Sequence, residues 1–132
     1  MKVKIDFVSN SSSTSFVYIA QDMLTKDDFF EAVGVSATSP AASVFQEMFE
    51  QLRARVERGE RLTSVEDVDA LEGSRDFMPE VLTRMREAVK QGKIVTTGSL
   101  SSEEGMAEQV LCTEIFEINS ERFFINAYDN YW

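Results

Sequence analysis

The chain has 132 residues, 13 basic against 23 acidic side chains, a formal net charge of −10, one cysteine and no histidine. That length suits one domain, and 43% apolar residues with 10 Phe, 6 Gly and 2 Pro describe a chain able to bury a core. The absence of His removes Ser-His-Asp and Cys-His nucleophile sets and His-ligated zinc or haem. The lone Cys112 removes an internal disulfide, a redox CxxC pair and a multi-cysteine cluster.

Residues 2–8 alternate. Val3, Ile5 and Phe7 share one side, and Lys2, Lys4 and Asp6 the other, so a half-buried strand is expected. Residues 9–15 (SNSSSTS) form a polar break, and Phe16 to Ala20 reads as a second strand. The simplest connection is a hairpin through the serine loop.

Thr25 has the character of an N-cap, with Asp27 and Asp28 in the first helical turn and Gly34 as the stop. Ser39 as N-cap with Pro40 at the first helical position opens the next helix, whose apolar stripe is Phe45, Met48, Phe49, Leu52 and Val56. Arg53, Arg55 and Arg58 complement the negative end of that helix, and Gly59 ends it. Residues 60–63 read as a polar connector.

Ser64 and Asp67 have capping-box spacing for a short helix with Val65, Val68 and Leu71, stopped by Gly73. Asp76 is placed to cap a fourth helix with Pro79 in its first turn and a stripe of Val81, Leu82, Met85, Ala88 and Val89, closed by Gly92. Residues 93–100 read as a strand. Ser101 and Glu104 favour a helical turn over 102–111, with a strand as the alternative; a strand follows from near Thr113. After a turn at Asn119-Ser120-Glu121, residues 122–127 make a last strand, and 128–132 an aromatic, polar tail. Strands at both ends with helices between predict a single α+β domain over 1–132. Its sheet is mixed or antiparallel, is built by both chain ends, and is accompanied by a central layer of about four helices.

Two groups of residues stand out as candidate sites. The serine segment follows a strand, as phosphate-binding loops do, so Asn10, Ser11, Ser12, Ser13 and Thr14 are candidate ligands for a phosphate or polar molecule. It lacks the glycines and lysine of a P-loop. Tyr128, Tyr131 and Trp132 put three aromatics close together and are candidate partner contacts, including self-association into a homo-oligomer. The pairs Asp27-Asp28 and Glu103-Glu104 and the run Glu66-Asp67-Asp69 are explained by helix dipoles, and none has EF-hand spacing. Cys112, among Val110, Leu111 and Ile115, has the company of an inert buried thiol. No metal or cofactor is expected.

The string Asp6-Phe7-Val8-Ser9-Asn10-Ser11-Ser12-Ser13-Thr14-Ser15-Phe16, after a short basic strand, resembles an N-terminus shared by uncharacterised bacterial and phage-associated proteins. Gly98-Ser99-Leu100-Ser101-Ser102-Glu103-Glu104 and Ile125-Asn126-Ala127-Tyr128-Asp129-Asn130-Tyr131-Trp132 are similar in the same sense. The resemblance implies bacterial or phage origin and carries no activity with it.

Only the first 20 residues escape net acidity, so no basic stripe exists to release counterions and direct nucleic-acid binding is not expected. No apolar run approaches the roughly 20 residues of a membrane span, and the opening residues lack the apolar region of a signal peptide. The expectation is a cytoplasmic, acidic binding or regulatory protein that acts through a protein partner, a basic one by charge. In a phage or mobile-element setting it is an inhibitor. The alternative is a phosphate-, nucleotide- or small-molecule-binding protein, or an enzyme, that uses residues 9–15.

Overall fold

The computed structural model describes residues 2–6, 13–73, 77–101 and 115–128. In chain order they form β1 (Lys2–Asp6), β2 (Ser13–Ala20), α1 (Lys26–Val33), α2 (Ala42–Arg58), β3 (Glu60–Arg61), α3 (Val65–Asp69), α4 (Pro79–Lys90), β4 (Ile94–Ser101), β5 (Ile115–Asn119) and β6 (Phe123–Tyr128). The protein is α+β, with an antiparallel six-stranded sheet in the order β1-β5-β6-β2-β4-β3, drawn from both chain ends.

Strand β2 is the spine. It pairs with β4 on one side and β6 on the other, and Phe16 to Ala20 are all buried. An unbroken apolar run is what a strand needs when both of its faces are covered. Phe16, Tyr18 and Ala20 pack with Ile118, Ile125 and Ala127 against α1 and α2, through Phe29, Met48, Phe49 and Leu52. Val17, Ile19, Val95 and Phe124 face α3 and α4, through Val68, Val81, Leu82 and Met85. The helices, central in sequence, therefore divide between the two faces, and the sheet is the middle layer in space. Each buried Leu, Met or Phe contributes about 1.5–3 kcal/mol, so the two faces are comparable in weight.

Several helix signals act as the chemistry requires. Thr25 Oγ1 accepts from the Asp28 N–H, and Gly34 ends α1 at φ 73° with its N–H directed to the Glu31 and Phe30 carbonyls. Ser64 and Asp67 form the reciprocal capping box of α3. Met48, Phe49, Leu52 and Val56 are buried on α2, with Phe45 half-buried.

Other expectations are corrected. Strands β1 and β2 do not form a hairpin: β1 pairs with β5, and β5 and β6 stand between β1 and β2. The serine segment is not loop throughout, because Ser13, Thr14 and Ser15 already belong to β2. Ser39 caps a turn instead of α2 itself, accepting from the Ala41 N–H at 3.2 Å, and the helix begins at Ala42 without a side-chain cap. The 60–63 connector contains β3 and a buried Leu62, whose N–H donates to the Val95 carbonyl at 2.8 Å. Met78, not Asp76, precedes α4 as its N-cap residue, and Asp76 lies outside the described residues. So does the 102–111 segment.

Gly59 ends α2 with extended backbone at φ −72°. Its lack of a side chain is needed for a different reason: a Cβ there would stand 2.5 Å from the Thr97 carbonyl oxygen and 2.6 Å from Thr96 Cγ2. Glycine lets the end of α2 lie directly on β4.

Candidate functional site

Three of the residues singled out in the sequence, Ser13, Thr14 and Tyr128, are described, and they lie at one end of the sheet. In the β2–β4 register Ser13 stands opposite Ser101, Thr14 opposite Leu100 and Ser15 opposite Ser99. On the other side of β2, Ser15 stands opposite Tyr128 of β6. Ser99, Ser15 and Tyr128 thus occupy one row across three strands. Asn10, Ser11, Ser12, Tyr131 and Trp132 lie outside the described residues.

A cleft of about 390 Å3 opens beside this row. The sheet supplies Ser15, Thr97, Gly98 and Ser99; the end of α2 supplies Arg55, Arg58 and Gly59. Leu71 and Phe77 give it an apolar wall, and Glu60 is the one carboxylate among the described residues that line it. Two guanidinium groups therefore come to the cleft from the last turns of α2. The helix explains the arginines locally, since cations are favoured at its negative end. The sequence reading missed them as site residues for that reason. The available signal was three arginines within six residues of an otherwise acidic chain.

The sheet edge at this cleft stops one rung short. Strand β3 pairs only with Thr96 and Thr97 of β4. The Val95 carbonyl points outward to Leu62. By strand alternation the N–H and C=O of Thr97 and Ser99 point outward as well. The chain before Glu60 is helix, so nothing among the described residues continues β3 past Thr97 to Ser99.

A second cleft, of about 410 Å3, lies at the opposite end of β2. It is bounded by the Ser120–Arg122 turn and by Arg84, Glu87 and Gln91 of α4. Tyr18 Oη donates to the Asp22 carbonyl oxygen at 2.6 Å. Burial pushes the Tyr18 phenol well above its ordinary pKa, and the charges of Asp28 and Asp22 add to the effect. The Arg84 guanidinium lies 3.9 Å from the centre of the Phe124 ring, and its Nη2 donates to Asn119 Oδ1 at 2.9 Å. Burial lowers the pKa of Arg84, opposed by the charge of Glu117. Lys93 and Arg122 share the cleft with Asp28 and Glu121, so its charges are mixed.

Among the described residues three buried side-chain oxygens have no hydrogen-bond partner: Gln46 Oε1, Gln51 Oε1 and Asn126 Oδ1. Asn126 is fully buried on β6; its Nδ2 donates to Glu117 Oε1 at 3.3 Å, and its Oδ1 has no partner. Among the described residues no three carboxylate or thiol groups are grouped to hold a metal ion, and no helix is long and apolar enough to cross a membrane. Cys112 and the Glu103-Glu104 pair lie outside the described residues. No family model matches this chain, and no curated protein or solved structure is similar to it.

Proposed function

We propose that the protein is a small acidic binding or regulatory protein that acts through a protein partner. One observation carries this reading: exposed carboxylates are left over on the α1–α2 layer, whereas Arg53, Arg86 and Lys90 are neutralised within the molecule. Arg53 pairs with Glu57 at 3.1 Å, Arg86 with Asp69 at 2.7 Å and Glu72 at 3.0 Å, and Lys90 with Glu87 at 3.6 Å. On the α1–α2 layer, Asp27, Glu31 and Glu47 are exposed and have no ion-pair partner among the described residues. Unneutralised surface charge of one sign attracts a partner of the other and speeds its encounter. In its most specific form, the protein is a phage or mobile-element inhibitor whose acidic face occupies a basic surface. Tyr128, Tyr131 and Trp132 belong to the same reading as aromatic contacts.

The test is affinity capture from a bacterial lysate with the wild type and with Asp27→Asn/Glu31→Gln/Glu47→Gln. The expected result is one or more proteins retained at low salt, released at high salt and absent with the triple variant. Equal capture by both proteins at every salt concentration overturns the electrostatic reading.

A second reading has its own support. Arg58 stands beside Ser15 and Ser99 in a cleft, a set suited to a phosphate or carboxylate. A ligand at 100 times its dissociation constant stabilises the fold by about 2.7 kcal/mol. Inorganic phosphate and nucleotides should then raise the melting temperature of the wild type and leave Arg58→Gln unmoved. No shift with either probe removes this reading.

A further inference from the structure

We infer that the cleft at the Ala20 end of β2 is a binding site for a small linear zwitterion, a molecule with an ammonium group at one end and a carboxylate at the other. The inference goes beyond the partner-binding reading and does not depend on it.

The cleft has a volume of about 410 Å3 and is walled by fixed elements. Ala20, the last residue of β2, pairs with Ile94 on one side and with Phe123 on the other. Lys93 and Arg122 immediately precede those two residues, so they flank the exit of β2 at Gln21. The Lys93 N–H donates to the Ala88 carbonyl at 3.0 Å, which ties it to the end of α4. The Ser120 hydroxyl donates to the Phe123 carbonyl at 3.1 Å and accepts from the Phe123 N–H at 3.2 Å, which closes the turn that carries Arg122. Arg84, Glu87, Ala88 and Gln91 fall at i, i+3, i+4 and i+7 and bring one stripe of α4 to the cleft.

The charges are sorted between two sides. On the α4 side, Arg84 is held over the Phe124 ring at 3.9 Å and by its bond to Asn119. That bond goes to a neutral amide, so the guanidinium keeps its charge and most of its N–H fork for another acceptor. Lys93 and Arg122 add to it. The carboxylates on this side are Glu87, paired with Lys90 at 3.6 Å, and Glu121 on the turn. On the α1 side stand Asp22 and Asp28, whose charges both reach the Tyr18 phenol. The Tyr18 hydroxyl commits its proton to the Asp22 carbonyl, which leaves its oxygen as an acceptor. Tyr18 belongs to the α1–α2 face of the sheet and Phe124 to the α3–α4 face. The cleft therefore runs around the end of the sheet from an acidic side to a basic one.

A ligand of one sign meets repulsion at one side or the other. A molecule with both charges is attracted at both: its ammonium to Asp22, Asp28 and the Tyr18 oxygen, its carboxylate to Arg84 with Lys93 and Arg122. Because the two sides lie on opposite faces of a sheet, the charges of the ligand are several bonds apart, and are not joined through a single carbon as in glycine.

The probe is triglycine, which spans about 10 Å when extended. It is titrated into the full chain and followed by amide chemical shifts in NMR. The expected result is saturable binding, shifts at Gln21, Lys93 and Arg122, and affinity at least about tenfold weaker with Arg84→Gln or with Asp28→Asn. N-acetyl-triglycine, which lacks the ammonium, and triglycine amide, which lacks the carboxylate, should each bind the wild type at least about tenfold more weakly than triglycine. The blocked peptides need no altered protein, so the comparison holds even where a variant fails to fold. Four outcomes overturn the proposal: no saturation by triglycine at tens of millimolar, shifts confined to residues away from the cleft, a blocked peptide that binds as tightly as the free one, or glycine that binds as tightly as triglycine. Acetate or inorganic phosphate that matches triglycine with the same Arg84 dependence also overturns it, and assigns the cleft to a simple anion. Arg58 and the Asp27, Glu31 and Glu47 carboxylates take no part, so the result is separable from the tests of both functional readings.

Discussion

The ring of Phe16 covers Gly98 across the β2–β4 ladder. The two residues stand directly opposite, and a Cβ at position 98 would lie 2.8 Å from Phe16 Cε1 and 2.9 Å from its Cζ. Phe16 is fully buried, so its ring has little room to withdraw. A glycine inside a strand is normally a weakness, and here the aromatic ring packs into the space that the missing side chain leaves.

Gly98→Ala should therefore destabilise the protein by about 1–3 kcal/mol, the usual cost of overpacking. Urea denaturation reads this as a lower midpoint at unchanged slope. Combining Gly98→Ala with Phe16→Leu should cost less than the two single changes added together, because they share one contact. Strict additivity would show that ring and glycine are not coupled.

Tyr18→Phe removes the bond to the Asp22 carbonyl and should cost about 0.5–1.5 kcal/mol at neutral pH. The pH dependence is more diagnostic. The folded protein holds the phenol pKa above the ordinary 10.0, so the contribution is fully present below 10.0 and fades as the pH climbs above it. Unfolding followed from pH 8 to 11 should show wild-type stability falling more steeply than that of Tyr18→Phe. Parallel curves would contradict the burial argument.

Asp67 works in the opposite direction. Hydrogen bonds from the Thr63 and Ser64 N–H groups hold its carboxyl below the ordinary value of 3.8, so its contribution is present above 3.8 and is lost as the pH falls through the lowered value. Asp67→Asn should flatten the acid side of the stability profile. Ser64→Ala, which removes the other half of the capping box, should cost about 0.5–2 kcal/mol and flatten the acid side only in part, because the Thr63 and Ser64 N–H groups still hold the carboxylate.

Asn126→Asp places a carboxyl in a fully buried position within reach of Glu117. Burial and a like charge both raise the pKa of the new acid, so the variant should approach wild-type stability in mild acid and fall behind it by about 3–5 kcal/mol at neutral pH. Thermal denaturation at pH 4.5 and pH 7.5 measures the difference. A loss independent of pH would mean that the site is hydrated.

Local chemistry was readable where it was self-contained. Thr25 with Gly34, Ser64 with Asp67, and the Met48-Phe49-Leu52-Val56 stripe each declare an element within one or two helical turns. What local pattern does not carry is pairing across the chain. The alternation of Val3 and Ile5 announces a strand, but its partner is 115–119, and only packing of the whole sheet selects that strand over β2. Strand β3 has two residues and no periodicity to detect. The candidate cleft was not legible: its hydroxyl lining, Ser15, Thr97 and Ser99, lies outside the group from Asn10 to Thr14 that stood out by composition, and Arg55 and Arg58 were absorbed into the account of how α2 ends. Only the fold brings them to Ser15 and Ser99.

The position of β2 has a consequence for how the molecule is made. Val17 pairs with Thr97 on one side and Asn126 on the other, so neither neighbour of the spine exists when the spine is synthesised. On the ribosome, the apolar run Phe16 to Ala20 waits for nearly all of the described chain to emerge before it is shielded on both edges. Closing the sheet is then the late, slow event of folding, dominated by contacts between distant residues. During that wait α1 and α2 can shelter one face of the run, and the other face stays open until α3 and α4 have followed.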